Sequence, residues 1–454
     1  MNPTDQNAVE KTRFDNPGAV RVGIVGLGTV GSGVARLLIN EAERLRRHAG
    51  CELQLARVVV RDLGKPRDCQ LPDGTLSNDI AKIAEDEDID VVAQLMGGIE
   101  PARSVMVQLL ESGKDVVTAN KALLAEHGPE LFDRARQLGR CIAFEASVAG
   151  GIPIIANLCQ CLSANQIISL CGILNGTSNF ILSQMEECGA DYDVAVSEAQ
   201  QRGFAEADPA MDVDGTDAAQ KLAILAHLAF GARVNWADIP RNGIDSLETI
   251  DLRFASELGY RIKLLAIAQL ADGSDPNGGL DLHVSPTLVP VGTPLSDVHG
   301  ANNAISVVGD AVGTVFYEGL GAGQMPTASA VVADLVDTAV GRAQLTFRTV
   351  RAWSNREPLV QARAPELAPG RYYLRLMVDD HPGVMAEVTG ILGQNEISIA
   401  SLIQHEPESE GDSQTVPLVI MSHLTHEGAI AKAVVQIDQL SSVMEGTVRM
   451  RVLD

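Results

Sequence analysis

The sequence predicts an α/β protein with a doubly wound parallel sheet, followed by an α+β middle domain and a C-terminal ferredoxin-like domain. Two observations support this. In the first third of the chain, apolar strand-like runs alternate with helical stretches, as in parallel sheets whose faces are covered by helices. In the last part, the hydrophobic pattern changes in the order βαββαβ, which is the ferredoxin-like order.

The first domain is predicted over residues 19–150. Residues 1–18 contain acidic residues but no apolar run, so we expect a short flexible tail and no signal peptide. A helix reaching about Ala49 should follow the first strand. The predicted strands are Val20–Val25, Leu53–Val60, Ile89–Leu95, Val116–Thr118 and Cys141–Phe144.

The middle domain is predicted over residues 151–325 and has a mixed pattern. The predicted helices are 152–163, 217–230 and 254–265, and the predicted strands are Ile167–Leu174, Leu282–Leu288, Ala304–Val308 and Thr314–Glu318. A further helix over 326–345 is expected to return to the first domain. Residues 346–370, which contain several prolines, are predicted to be a linker.

The C-terminal domain is predicted over residues 371–454. The predicted strands are Tyr372–Val378, Ser398–His405, Thr415–His423 and Thr447–Leu453, and the helices are Val384–Asn395 and Gly428–Leu440. The loop Asp380-His-Pro-Gly-Val-Met-Ala386 resembles the signature of the ACT domain, an amino-acid-sensing module of many biosynthetic enzymes. A plain packing domain of the same fold is the alternative interpretation.

Composition excludes several functions. The chain has 35 basic and 59 acidic residues and a net charge of -24, which disfavours nucleic acids and anionic membranes as partners. No apolar run reaches the roughly 18 residues that a membrane span needs. The seven cysteines are odd in number and form no Cys-x-x-Cys pair, so we expect reduced, buried thiols in a cytoplasmic protein without a zinc site.

A glycine-rich turn directly follows the first predicted strand and opens a helix. This is the context of a Rossmann dinucleotide-binding loop, which holds a pyrophosphate with backbone amides; its residues are Gly26, Leu27, Gly28, Thr29, Val30 and Gly31. After the second strand, Arg61 and Lys65 could hold a 2′-phosphate, which favours NADP. Asp62 leaves the use of NAD open, and ordinary loop charges are the other interpretation.

The segment from Gly203 to Leu222 (GFAEADPAMDVDGTDAAQKL) is the most informative part of the chain. Thr216 is predicted to cap a helix in which Asp217 and Lys221, four residues apart, share one face. By spacing alone, such a pair is most often solvated on the surface. The segment nevertheless resembles the signature of homoserine dehydrogenases. Further segments, which extend this resemblance over about residues 19–345, are 94–101, 118–121, 145–154, 172–179 and 326–334.

The resemblance implies interconversion of L-homoserine and L-aspartate 4-semialdehyde in the biosynthesis of threonine, methionine and isoleucine. It also implies site residues. Lys221, held by Asp217, would donate or accept the proton, and Lys121 would assist beside the nicotinamide; which lysine transfers the proton stays open. The substrate would be bound by Glu206, Asp212, Gly176 and Thr177, and the cofactor also by Gly321 and Gly323. Asp208 is the less secure carboxylate, because Asp-Pro also forms turns.

The same resemblance implies a monovalent-cation site for Na⁺ or K⁺. Glu145 and the backbone carbonyls of Val148, Gly150 and Ile152 would bind the ion, although Glu145 as the cap of a turn is an equally good interpretation. The ACT-like extension implies feedback control by threonine. The family pairs through its substrate-domain sheet and ACT domains commonly pair, so a homodimer or homotetramer is expected.

Two rival functions remain to be weighed. Aspartate-semialdehyde dehydrogenase needs a nucleophilic cysteine with a base nearby, and no cysteine here has such a setting. A catalytically inactive amino-acid sensor would use only the ACT domain, but all of the expected charged residues are present. No aspartate kinase module precedes the first domain in this sequence, so the resemblance is to the monofunctional form.

Overall fold

The computed structural model describes residues 18–273, 275–350, 359–405, 415–444 and 446–453. The predicted tail therefore lies almost entirely outside the described residues, as does part of the predicted linker. The chain forms two compact units. Unit 1 contains Met1–Cys161 and Ala322–Glu357, and unit 2 contains Leu162–Gly321 and Pro358–Asp454.

Unit 1 is built on a parallel sheet with strand order β3-β2-β1-β4-β5-β6. This order confirms the predicted doubly wound sheet. Each predicted strand is present, and the two-residue β3 is an addition that no pattern indicated. The strands are β1 Val20–Val25, β2 Leu53–Val59, β3 Leu76–Ser77, β4 Val91–Gln94, β5 Asp115–Thr118 and β6 Ile142–Ala143.

The helices of unit 1 come from both of the chain segments that form this unit. They are α1 Thr29–Asn40, α2 Ala42–Ala49, α3 Ala81–Ala84, α4 Ala102–Glu111, α5 Lys121–Gln137, α6 Ile154–Ala156, α12 Gln324–Ala339 and α13 Arg342–Val350. A π-helical turn, Asn157–Cys161, continues α6. Ala328, Val331 and Leu335 of α12 share the buried core with Ile24 and Val34. Helix α12, which comes late in the chain, therefore packs in the core of the N-terminal sheet.

Unit 2 contains a long mixed sheet whose first five strands lie in the order β11-β10-β7-β8-β9, and strands of the last domain continue the sheet beyond β9. Its first strands are β7 Ile167–Ile173, β8 Tyr260–Asp272, β9 Asp275–Pro290, β10 Asn302–Gly309 and β11 Gly313–Leu320. Its helices before the last domain are α7 Gly176–Cys188, α8 Tyr192–Gln201, α9 Ala210–Val213, α10 Thr216–Phe230 and α11 Thr249–Glu257.

The predicted helix over 254–265 is wrong in its second half. Helix α11 ends at Glu257, and Gly259 follows with a φ of 83°, a left-handed conformation that ends helices. Strand β8 then begins at Tyr260. Because β8 lies between β7 and β9 and is almost continuously buried, its apolar residues do not alternate, and their pattern cannot be distinguished from that of a buried helix.

The last domain has the predicted βαββαβ order. Its elements are β12 Pro369–Asp379, α14 Val384–Gln394, β13 Ile399–Gln404, β14 Thr415–Ser422, a short β15 Thr425–His426, α15 Glu427–Ile437 and β16 Val448–Val452. Strand β16 pairs in parallel with β9, so this domain extends the substrate-domain sheet. No sequence pattern had indicated that continuity.

A buried ionic contact joins the last domain to α11. The Arg375 guanidinium on β12 donates two hydrogen bonds to the Asp251 carboxylate, at 2.7 and 3.0 Å, and the Tyr373 hydroxyl donates a third at 3.1 Å. Burial and the Asp251 charge raise the pKa of Tyr373, so the phenol stays protonated. Fully buried charges are stable only when paired in this way.

All seven cysteines are free in the structure. Cys51 and Cys141 are buried, Cys69, Cys159 and Cys171 are half-buried, and Cys161 and Cys188 are exposed, so the prediction of buried thiols is wrong for the last two and holds fully for the first two alone. Cys161 and Cys188 are the last residues of helical segments. Among the described residues, no helix is long and apolar enough to cross a membrane, and no cluster of three or more His, Cys, Asp or Glu side chains could hold a metal.

Candidate functional site

The dinucleotide loop connects β1 to α1 in unit 1. Gly26 has a φ of 96°, and a Cβ at Gly31 would lie 2.2 Å from the Gly26 carbonyl oxygen, so both positions require glycine. Gly28 is the N-cap of α1 and is exposed together with Thr29. The loop therefore leaves the helix N-terminus open to an anionic group such as a pyrophosphate.

The loop after β2 carries the predicted 2′-phosphate residues. The Asp62 carboxylate accepts a hydrogen bond from the Gly64 amide at 2.8 Å, and Arg67 donates to the Lys65 carbonyl at 2.7 Å. These bonds shape the loop. Arg61 and Lys65 are exposed and form no ion pair with another described residue, so both cations are accessible to a ligand phosphate.

The Thr-Ala-Asn-Lys motif follows β5 and opens α5. Asn120 caps the helix by accepting from the Leu123 amide, and its own amide group donates to the carbonyls of Met96 and Gly98 at 3.0 and 2.6 Å. Asn120 thus fixes the loop after β4, a role that was not assigned from sequence. Lys121 is the first residue of α5 and is half-buried.

The two other predicted cofactor glycines fall in different units. Gly323 has a φ of 109° and is the N-cap of α12 in unit 1. Gly321 follows β11 in unit 2, where a Cβ would lie 2.0 Å from Cγ of Asn303. The close packing at Gly321 explains the glycine without any ligand, whereas Gly323 opens a helix whose N-terminus is free of side-chain caps.

The predicted cation loop lies wholly in unit 1. The Glu145 carboxylate accepts hydrogen bonds from the amides of Ile155 and Ala156, at 2.9 and 2.8 Å, so it caps the start of α6. This is the alternative that the sequence left open. Ala149 and Gly150 have φ values of 53° and 38°, which give a tight turn, and Val148, Gly150 and Ile152 are all buried.

A second carboxylate lies beside Glu145. Asp334 of α12 accepts the Glu145 amide hydrogen at 2.8 Å. Burial raises the pKa of Glu145 to about 7, and burial together with the Glu145 charge raises the pKa of Asp334 well above its usual range. Two adjacent buried carboxyls carry one negative charge more readily than two. Sequence reasoning missed Asp334, although it lies in the quoted segment 326–334.

In unit 2, Lys221 and Asp217 form a buried ion pair on α10. The Lys221 ammonium lies 2.7 Å from Asp217 Oδ2 and donates to the Leu174 carbonyl at 2.6 Å. The Lys221 and Asp217 residues are 9% and 3% exposed, which rules out a solvated surface pair. The predicted cap is wrong: Gly215, with a φ of 84°, is the N-cap, and Thr216 begins the helix while bonding to Asp214.

Asn175 connects this pair to a second carboxylate. Its side-chain amide donates to Asp217 Oδ2 and to Asp212 Oδ1, both at 2.8 Å, and its carbonyl oxygen accepts from the Ser178 amide at the start of α7. Sequence reasoning assigned it no role, although an asparagine directly after a predicted strand is a common helix cap.

The remaining predicted substrate residues surround this network. Gly176 is required by close packing, because a Cβ there would lie 2.5 Å from the Ala301 carbonyl oxygen. The Thr177 hydroxyl donates to the Phe204 carbonyl at 2.7 Å and so fixes the loop that carries Glu206. Glu206 itself is exposed and outside the network of Asn175, and Asp208 accepts from the Ala210 amide in a turn.

The network has a chemical consequence. The network contains two carboxylates, Asp212 and Asp217, and one ammonium, Lys221, so its formal charge is negative, which suits a ligand ammonium group. A buried lysine with fixed hydrogen-bond partners can hold a proton beside a reacting oxygen.

Three family models match successive parts of this chain. The family model described as "Homoserine dehydrogenase, NAD binding domain" matches residues 26–145, the model "Homoserine dehydrogenase" matches 153–336, and the model "ACT domain" matches 372–441. Homoserine dehydrogenase of Pseudomonas aeruginosa is 43% identical over 442 residues, covering 95% of this chain and 98% of that protein.

Solved structures give the same result. The crystal structure of a homoserine dehydrogenase from Thiobacillus denitrificans matches with a TM-score of 0.87 and 42% identity, covering 96% of this chain and 98% of that chain. A hyperthermophilic archaeal homoserine dehydrogenase mutant in complex with NADPH matches with a TM-score of 0.57 and 26% identity, over 70% of this chain and 97% of that chain.

Proposed function

Because this chain belongs to the homoserine dehydrogenase family of oxidoreductases, we propose that Lys221 transfers the proton when L-homoserine and L-aspartate 4-semialdehyde are interconverted. The observation that carries this proposal is the buried Lys221–Asp217 pair, which is bonded through Asn175 to Asp212. The nicotinamide cofactor, when bound, supplies or accepts the hydride. The glycine cradle at Gly26 and Gly31 suits such a dinucleotide.

Lys221 meets the requirements of a proton donor. Reduction of an aldehyde places negative charge on its oxygen, and an ammonium beside that oxygen stabilises the charge and then gives up a proton. In the oxidation of homoserine, the neutral amine takes the proton back. Asp217 and the Leu174 carbonyl hold the Lys221 nitrogen in one place, and we assign Asp217 a positioning role.

The substrate ammonium is proposed to bind Asp212 and Glu206. Asp212 supports this because it belongs to the network with surplus negative charge, and Glu206 because Thr177 fixes its loop. Gly176 and Thr177 would contact the substrate at the start of α7. Lys121, in unit 1, is proposed to polarise the reacting carbonyl.

The cofactor is proposed to be NADP rather than NAD. Arg61 and Lys65 are exposed after β2, where a ribose 2′-phosphate would bind, and Asp62 is engaged by the Gly64 amide. Thr29 and the backbone of Gly26–Gly31 would hold the pyrophosphate, and Gly323 would present the N-terminus of α12.

We further propose a Na⁺ or K⁺ ion at Glu145 and the carbonyls of Val148, Gly150 and Ile152. The buried carboxyls of Glu145 and Asp334 support this, because a cation would compensate their charge. The proposed ligand set consists of oxygens, which suits a hard cation. Glu145 also caps α6, and both roles are compatible with a carboxylate that has free lone pairs.

Regulation is proposed to come from threonine bound between paired ACT domains, near Asp380–Val384 and Asn395. Gly383, with a φ of 108°, opens α14 there, and Asn395 donates to Gln436 at 2.7 Å. A homodimer or homotetramer in the cytoplasm, and the domain divisions given above, are part of this proposal. Isothermal titration with millimolar threonine should give a saturable heat; its absence would contradict the effector assignment.

The decisive experiment is oxidation of L-homoserine by the purified chain, followed at 340 nm with NADP and NAD in parallel and with Na⁺ or K⁺ present. We expect homoserine-dependent reduction, faster with NADP. Lys221→Ala should abolish most of it, while Lys432→Ala, an exposed lysine of α15, should not. No turnover with either cofactor in folded protein would favour the inactive amino-acid sensor.

A further inference from the structure

A cavity with several charged lining residues lies in unit 2 where the last domain meets β9. Its volume is about 580 Å³, within the range of small-molecule sites. Strand β9, the segment Arg233–Asn242 and residues of the last domain form its walls. None of these residues belongs to the proposed catalytic network or to the ACT signature loop.

Strand β9 presents to this cavity three polar side chains that each have one atom without a hydrogen-bond partner among the described residues. Asp281, His283 and Ser285 alternate along the strand and so share one face. Asp281 Oδ1, His283 Nε2 and Ser285 Oγ are buried and have no hydrogen-bond partner within the described parts of the chain. Ser285 is only 6% exposed. Buried polar atoms in folded proteins nearly always form hydrogen bonds, and a polar ligand in the cavity would supply the partners that these three atoms lack.

The opposite wall belongs to the last domain. Glu427 accepts from the Tyr372 hydroxyl at 2.8 Å and from Arg451 at 2.6 Å, and it also pairs with Arg449. Arg363 lies 3.6 Å from Asp281. These contacts hold the charged side chains in fixed positions around the cavity.

The charges of the lining residues indicate the charge of the ligand that would fit. Burial, and secondarily the nearby Arg451, lowers the pKa of His283 well below its usual value, so this imidazole is neutral. Five arginines then face four carboxylates, which leaves one positive charge. These residues are Arg233, Arg241, Arg363, Arg449, Arg451, Asp238, Asp281, Glu366 and Glu427. A ligand with one net negative charge that carries both signs complements such walls.

We propose that this cavity binds an α-amino acid with an acidic side chain. Its carboxylates would meet the arginines, and its ammonium would donate to the free Asp281 Oδ1, with Ser285 and His283 completing the contacts. The site would be separate from the proposed threonine site and from the catalytic site.

The cavity is also connected to the catalytic helix. Val284 of β9 exchanges backbone hydrogen bonds with Pro240 and Asn242, both at 2.9 Å, and Ile244 donates to the Val213 carbonyl beside Asp212. A Cβ at Gly215, the N-cap of α10, would lie 3.1 Å from Val284. A ligand that immobilises β9 would therefore change the position of Asp212 and of helix α10. This regulatory consequence rests on the proposed function, whereas binding does not.

The test is isothermal titration of the full chain with L-aspartate and L-glutamate, without cofactor and with saturating L-homoserine to occupy the catalytic site. We expect saturable binding of at least one of them. Asp281→Asn and Ser285→Ala should each weaken it, the former by 10-fold or more. Asp275→Asn, an exposed residue of the same strand, should leave it unchanged. Thermal melting of each variant checks that it is folded.

Two further ligands test which groups of the acidic amino acid the cavity recognises. Succinate, which lacks the ammonium, and inorganic phosphate should bind at least 10-fold more weakly. Equal binding of succinate, insensitivity to both Asp281→Asn and Ser285→Ala, displacement by homoserine, or no heat from either acidic amino acid would each overturn the proposal. Because these readouts need no turnover, their failure is distinct from failure of the proposed dehydrogenase activity.

Discussion

Lys221 and Asp217 lie one helical turn apart on α10, with the ammonium nitrogen 2.7 Å from Asp217 Oδ2 and both side chains buried. An exposed pair at this spacing contributes only about 0.3–0.5 kcal/mol. Removing one partner of a buried pair costs about 3–5 kcal/mol, because a charge is left uncompensated. The protein keeps this costly arrangement at the centre of the proposed site, where a fixed ammonium is needed.

Replacing Lys221 by alanine should lower the rate of homoserine oxidation by roughly 10²- to 10⁴-fold, since the proton acceptor is removed. Cofactor binding should survive, because the dinucleotide loop lies in unit 1. Cofactor fluorescence titration and the assay at 340 nm measure the two effects. Lys432→Ala is the control, and loss of cofactor binding in folded Lys221→Ala would contradict the assignment.

Asn175→Ala should raise the KM for homoserine and lower kcat by roughly 10-fold or more, a loss of about 1.4 kcal/mol or more. The reason is that Asp212 and Asp217 both lose the amide that joins them. Asn179→Ala, which changes a buried asparagine on α7, the helix that Asn175 caps, is a control for packing damage. Equal kinetic losses in the two variants would indicate a merely structural role for Asn175.

Arg61→Ala should reduce kcat/KM for NADP by about 10-fold, as expected for one charged hydrogen bond to a phosphate. The value for NAD should barely change, since that cofactor has no 2′-phosphate. Steady-state kinetics with both cofactors give the ratio. Arg67→Ala, which removes bonds that shape the loop, should instead affect both cofactors. A parallel loss with both cofactors in Arg61→Ala would refute the phosphate contact.

Asp251→Asn should lower the free energy of unfolding of unit 2 by up to about 3–5 kcal/mol, because it removes the buried carboxylate beside the Arg375 guanidinium and leaves only the exposed Glu248, 3.3 Å away, as an ion-pair partner. Chemical denaturation measures this loss. Asp337→Asn, which removes a partner of the exposed Arg342, should cost about 1 kcal/mol or less. The double variant Asp251→Leu with Arg375→Met should recover much of the stability. A cost for Asp251→Asn no greater than that of the control would argue against the buried pair.

Lys263 should make stability rise with pH in alkaline solution. Burial lowers its pKa from 10.5 to about 8, and its ammonium donates to the Val298 carbonyl at 2.7 Å. Between these two values the unfolded chain binds more protons than the folded chain, so the free energy of unfolding increases with pH, by at most about 3 kcal/mol. Below pH 8 the folded protein bears the full free-energy cost of burying the Lys263 ammonium.

Lys263→Met should lack this rise while retaining the other alkaline transitions. Urea denaturation of both proteins from pH 7.5 to 10.5 gives the difference curve. A flat difference across that range would show that Lys263 titrates normally.

The sequence determined the kind of protein and most of its elements. Local patterns suffice for the strand–glycine–helix turn at Gly26–Gly31 and for the βαββαβ order of the last domain, because turn chemistry and hydrophobic period are properties of neighbouring residues. The catalytic candidates Lys221, Lys121 and Asp217 came from motif resemblance, and their roles remain predictions.

Tertiary structure decided what depends on residues far apart in the chain. It buries Lys221 beside Leu174 and brings Asn175 between Asp212 and Asp217. It places β16 against β9 and Asp334 beside Glu145. It also makes a strand of Tyr260–Asp272, although the local sequence favoured a helix as far as residue 265. Burial and long-range pairing set these outcomes, since desolvation and partner geometry arise only when distant segments pack together.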